Sequence, residues 1–99
     1  MQNRIDILFE KKPKNILSIF LTAGYPNLDD TLSVIKILDN TDVDMLEIGI
    51  PFSDPIADGP IIQQSSMSAL NNGMTLKVLF EQLKSLRTTT QLPILLMGY

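Results

Sequence analysis

The sequence predicts an α/β fold organised around a parallel β-sheet, and three observations carry that prediction. Apolar runs at residues 16–23, 44–50 and 93–99 are short and bounded by Gly, Pro or polar residues, as strands of such a sheet are. Stretches with Leu and Ile at helical spacing lie between them. The resulting order is helix, strand, helix, strand, helix, helix, strand, which folds as right-handed βαβ units.

Residues 3–12 (NRIDILFEKK) form a short amphipathic helix with Ile5, Leu8 and Phe9 on one face, ending before Pro13. ILSIFLTA, at 16–23, is nearly continuous in its apolar character and is bounded by Gly24 and Pro26, so this strand should be buried on both faces. Asn27 caps the next helix, whose first turn carries Asp29 and Asp30 at the positive end of the macrodipole. Leu28, Leu32, Ile35 and Leu38 follow at helical spacing, and the helix should stop near Asn40. The second strand covers 44–50. IIQQSSMSALNNG, at 61–73, is a helix closed by Gly73. Thr75 caps another helix with Leu76, Leu79, Leu83 and Leu86 as one stripe, and PILLMGY is a third buried-strand pattern.

The 99 residues are 44% hydrophobic with a net charge of -3, which suits a soluble globular piece. The acidic balance argues against nucleic acid or an anionic membrane as partner, because nothing here would displace phosphate counterions. No run approaches the roughly 18 apolar residues a bilayer span needs. The N-terminal MQNRIDILFEKK, with an acid on either side of a short apolar run, is not a signal peptide. The lack of cysteine excludes disulfides and makes a reducing cytoplasm the simplest location. With neither His nor Cys, thiol nucleophiles, His-based triads and soft metal sites are excluded within this segment. Acid–base work must come from carboxylates, tyrosine or lysine. Neither GxGxxG nor GxxxxGK[ST] occurs, so no dinucleotide or nucleoside-triphosphate loop is visible. The five methionines read as core filler.

Two parallel architectures fit, an open doubly wound sheet and a closed (β/α)8 barrel. Three strands are few for the first, and a barrel needs about 250 residues. Residues 1–99 are therefore expected to be the N-terminal part of a single barrel domain, its first three strands and their helices, truncated from a longer chain.

LEIGIPFSDPIADGP, at 46–60, concentrates the carboxylates Glu47, Asp54 and Asp58. Alternation places Met45, Glu47 and Gly49 on one face of the second strand and Leu46, Ile48 and Ile50 on the other. The apolar face should pack under the helices, leaving Glu47 pointing into the barrel near the strand's C-terminal end, where barrel enzymes keep their catalytic groups. An unpaired charge there would cost several kcal/mol, so Glu47 should be paired or partly protonated. A buried carboxylic acid that keeps its proton near neutral pH is suited to proton transfer. The plain alternative is a structural pair with a basic side chain beyond residue 99. Pro51, Pro55 and Pro60 stiffen the loop, and a long preorganised loop beside a buried acid reads as functional. Asp58 either serves that function or is a helix N-cap or turn aspartate. Phe20, Thr22 and Tyr99 lie on or after strand ends and either line a pocket or pack in the core. Asp29, Asp30 and Glu81 read as solvated faces or caps.

LEIGIPFSDPIADGPIIQ closely resembles the signature of the tryptophan synthase alpha subunit, and FLTAGYP (20–26) and PILLMGY extend the resemblance over essentially the whole chain. The resemblance implies a (β/α)8 barrel that cleaves indole-3-glycerol phosphate to indole and glyceraldehyde 3-phosphate. Indole then passes to a beta subunit, which joins it to serine with pyridoxal phosphate, within an alpha2-beta2 heterotetramer; no cofactor is implied in the alpha subunit. The family's catalytic glutamate falls on Glu47 and its catalytic aspartate on Asp58. Phe20 and Tyr99 fall on positions lining the indole pocket, and Asp54 on a loop position facing the beta subunit. The phosphate-binding loops belong to later strands, so the 99 residues alone are expected to be inactive. Indole-glycerol phosphate synthase is a poorer match, since no lysine lies at either central strand end. A non-enzymatic segment that only contacts the beta subunit is the alternative from another class.

Overall fold

Asn3 begins the first helix by a reciprocal cap: its side-chain oxygen accepts from the Asp6 N–H, and the Asp6 carboxylate accepts from the Asn3 N–H. The computed structural model describes residues 2–52 and 58–98. Within them the order is α1 (Arg4–Lys11), β1 (Ser18–Thr22), α2 (Thr31–Asp39), β2 (Met45–Gly49), α3 (Pro60–Asn71), α4 (Leu76–Leu83), α5 (Leu86–Thr89) and β3 (Ile94–Met97). The strands pair in parallel in the order β1-β2-β3, so β2 is central. Its register sets Phe20 beside Glu47 and Thr22 beside Gly49 on one flank, and Leu95 and Met97 beside the same two residues on the other.

Leu46 and Ile48 of β2 are completely buried with Ile35 of α2 and Leu79 of α4, while Leu21, Val43, Ala69 and Met74 complete the core. Each such fully buried aliphatic side chain contributes about 1.5–3 kcal/mol. Ile5 and Leu8 of α1 are half-buried, whereas Phe9, expected on their face, is exposed. Of the methionines, Met45 and Met74 are core residues, but Met67 and Met97 are exposed.

A 3-10 turn, Leu28–Asp30, precedes α2. The Asp30 carboxylate accepts from the Asn27 N–H and Nδ2, and the Asn27 backbone carbonyl accepts from the Asp30 N–H. Asn27 thus opens this turn by donating rather than capping α2 with its side-chain oxygen. Gly73 ends α3 with φ at +99°; its N–H reaches the Leu70 carbonyl and the Met74 N–H reaches that of Ala69. The single helix expected from Thr75 through Leu86 is divided after Leu83. At the break the backbone tightens to i→i−3 bonds, Lys84 N–H to the Glu81 carbonyl and Thr88 N–H to that of Ser85, and the Ser85 and Thr88 hydroxyls donate to the Gln82 and Ser85 carbonyls. Thr75 does cap α4, accepting from the Val78 N–H, but Leu76 points outward and only Leu79, Leu83 and Leu86 join the core. Glu81 forms a surface ion pair with Lys84, as its solvated position suggests.

The entry to β2 is fixed by Asp44, whose carboxylate accepts from the Leu17 N–H at 2.8 Å and from Lys12 Nζ at 2.9 Å. The backbone donor first and the lysine second hold this carboxyl below its ordinary value of 3.8.

Candidate active site

Alternation along β2 sends Glu47 and Gly49 away from the helices that bury Leu46 and Ile48. Glu47 is half-buried there, between Phe20 and Leu95. Its expected partner proves to be a hydroxyl: Ser18 Oγ donates to Glu47 Oε2 at 2.8 Å. Ser18 can do so because it precedes Phe20 by two residues in β1 and therefore shares its face. Among the described residues no basic side chain pairs with Glu47.

A cavity of about 130 Å³ opens at the C-terminal ends of the strands, lined by Phe20, Gly49, Ile50, Asp58, Ile62 and Ser66. Met97 and Gly98 at the end of β3 complete the wall. A cavity near this size holds a single small aromatic molecule. A larger cleft of about 540 Å³ lies at the other end of the sheet, among α1, Arg87 and Ile94; none of the described residues lining it is a carboxylate.

Asp58 reaches the cavity because of how α3 begins. Gly59 is the N-cap and Pro60 the first helical residue, so Asp58 stands one residue before the cap position. The Asp58 carbonyl accepts from Gln63 Nε2 at 2.7 Å, tying this residue to the first turn of α3. Two further sets of bonds anchor α3 itself. Thr22 and Ser65 share a buried hydroxyl bond of 2.8 Å, and Asn72 Nδ2 donates to the Gly24 and Pro26 carbonyls at 3.0 and 2.7 Å. Thr22 is thus a buried anchor as well as a wall residue of a shallow groove beside the cavity.

The structure therefore brings Phe20 and Asp58 to one cavity and sets Glu47 on the same sheet face, in register with Phe20. Asp54 and Tyr99 lie outside the described residues. Ser18, Ile62 and Ser66 were not singled out from sequence. Ser18 was detectable as a polar residue in an apolar run on the face of Phe20, and Ile62 and Ser66 by their spacing of four on one helix.

A parallel α/β sheet with a cavity at its strand C-terminal ends, walled by the start of the following helix, has the arrangement of part of a (β/α)8 barrel. The chain belongs to the tryptophan synthase alpha chain family, whose model matches residues 8–99. It is 58% identical over 97 residues to the tryptophan synthase alpha chain of Phocaeicola vulgatus, covering 98% of this chain and 38% of the relative. Against that of Flavobacterium psychrophilum it is 59% identical with the same coverage. The crystal structure of tryptophan synthase subunit alpha from Legionella pneumophila superposes with a TM-score of 0.92 at 40% identity, covering 100% of this chain and 39% of that one. The chain thus spans about 38% of the length of the curated relatives it matches, and its fold is the corresponding part of a TIM barrel. Among the described residues no helix is long and apolar enough to cross a membrane.

Proposed function

We propose that residues 1–99 are the N-terminal part of a single barrel domain, and supply the acid–base groups of an alpha subunit that cleaves indole-3-glycerol phosphate to indole and glyceraldehyde 3-phosphate. The observation that carries this reading is the convergence of Phe20 and Asp58 on one cavity, with Glu47 beside Phe20 on the same face. Retro-aldol cleavage needs a proton delivered to the indole carbon that bears the side chain. It also needs the hydroxyl proton removed from the adjacent carbon, so that the carbon–carbon bond breaks toward the ring and an aldehyde forms. Glu47 is the acid–base group at the reacting carbon, steadied by Ser18. Asp58 accepts from the indole N–H and stabilises the positive charge that develops on the protonated ring. Phe20 packs against that ring, and Tyr99 completes the indole pocket. Asp54 faces a beta subunit that carries pyridoxal phosphate, in a cytoplasmic alpha2-beta2 assembly; the alpha chemistry needs no cofactor of its own.

The test uses a full-length alpha chain carrying these residues, completed with the C-terminal remainder of the Phocaeicola vulgatus relative. Asp58→Asn should lower the cleavage rate by roughly 10²-fold or more, the scale of losing one electrostatic partner of the transition state. The melting point should change far less than the rate, since Asp58 lies outside the buried core. Unchanged turnover would remove Asp58 from the chemistry.

A further inference from the structure

Phe20 lies beside Glu47 in register, yet its ring leans along the strand and ends over Gly49, two residues further on. A Cβ added at Gly49 would stand 2.7 Å from Phe20 Cε2 and nearer still to Cζ. The outer edge of the ring therefore occupies the space a side chain at position 49 would take. Both residues line the 130 Å³ cavity, so their contact defines one of its walls. We propose that Gly49 is the specificity-determining position of this cavity, because the missing Cβ seats the Phe20 ring against β2 and keeps the cavity wide enough for a flat two-ring aromatic. The inference rests on the reading that the cavity takes the indole portion of the substrate.

A methyl group at position 49 pushes the ring off the strand and into the cavity. The displaced atoms are the free end of a side chain, so the fold survives and the aromatic ligand loses its place. The space at stake is about one methylene in an apolar pocket, which is worth roughly 10–200-fold in discrimination. A shorter residue at position 20 relieves the clash.

The test is a four-variant cycle in the full-length alpha chain: wild type, Gly49→Ala, Phe20→Leu, and both together. Indole affinity is measured by calorimetry, and KM and kcat separately with indole-3-glycerol phosphate. Gly49→Ala should weaken indole binding and raise KM at least tenfold with little change in kcat. In the Phe20→Leu background the same substitution should cost less than about twofold. Equal losses in both backgrounds, or a Gly49→Ala chain that fails to fold even with Leu at position 20, would overturn the proposal. So would wild-type protein that does not bind indole. Coupled indole affinities without any turnover would uphold it while refuting the retro-aldol reading, and turnover without coupling would do the reverse.

Discussion

Replacing Thr22 by Val tests how α3 is held over the cavity. Thr22 and Ser65 are only 7% and 8% exposed, and their hydroxyl oxygens are 2.8 Å apart. Ser65 Oγ also lies 3.0 Å from the Ile62 carbonyl, to which it donates. A serine hydroxyl has one proton, so Thr22 is the donor between the two. Thr22→Val keeps the shape and removes that donor, while Ser65 keeps its bond to Ile62; the cost should be about 0.5–1.5 kcal/mol. Ser65→Ala instead leaves the buried Thr22 hydroxyl without its partner, at about 1–3 kcal/mol. The double variant leaves no orphan and should cost less than the sum of the singles by about 1 kcal/mol. The assay is urea denaturation of the four full-length proteins, with melting midpoints as a check; 1 kcal/mol moves the midpoint about 2–4 °C in a chain of 150–250 residues. Additivity within about 0.3 kcal/mol would refute the shared bond.

Ser18→Ala should lower kcat roughly tenfold with little effect on KM, because the Glu47 carboxyl loses the donor that orients it; steady-state kinetics check this, and Ser18→Thr should restore most of the rate. Asp44→Asn should lower the melting point at neutral pH. Its carboxyl is held below 3.8, so its contribution is full above 3.8 and fades as pH falls through the lower folded value. The gap between Asp44→Asn and wild type should therefore narrow as pH falls below 3.8 in a pH series of thermal melts.

The positions of the strands were legible because β1, β2 and β3 are short apolar runs whose limits are marked by Gly, Pro and polar residues. The burial expected of β1 and β3 fails: Phe20, Leu95, Leu96 and Met97 are exposed, because among the described residues only β2 has a strand on each side. The caps at Gly73 and Thr75 were legible too, since each rests on local backbone chemistry. The division between α4 and α5 was hidden, because the leucine period runs on through the Lys84–Ser85 turn. Glu47 stood out as an acid in an apolar strand, but its partner did not. Finding Ser18 requires the parallel register of β1 on β2, which pattern alone leaves open. For Asp58, Asp-Gly-Pro permits either of two residues to cap; Pro60 at the first helical position puts Gly59 at the cap position, and Asp58 lines the cavity. The seat of the Phe20 ring on Gly49 depends on a side-chain rotamer and has no sequence signature.

The central claim is that Glu47 moves the proton in carbon–carbon cleavage. It is tested most directly by single-turnover assay of indole release from indole-3-glycerol phosphate by full-length wild type and Glu47→Gln. The amide preserves volume and can still accept from Ser18, so fold and substrate affinity should persist. The account predicts loss of the cleavage step by roughly 10²–10⁴-fold or more, with substrate still bound. Indole release at the wild-type rate from a folded Glu47→Gln enzyme would contradict it.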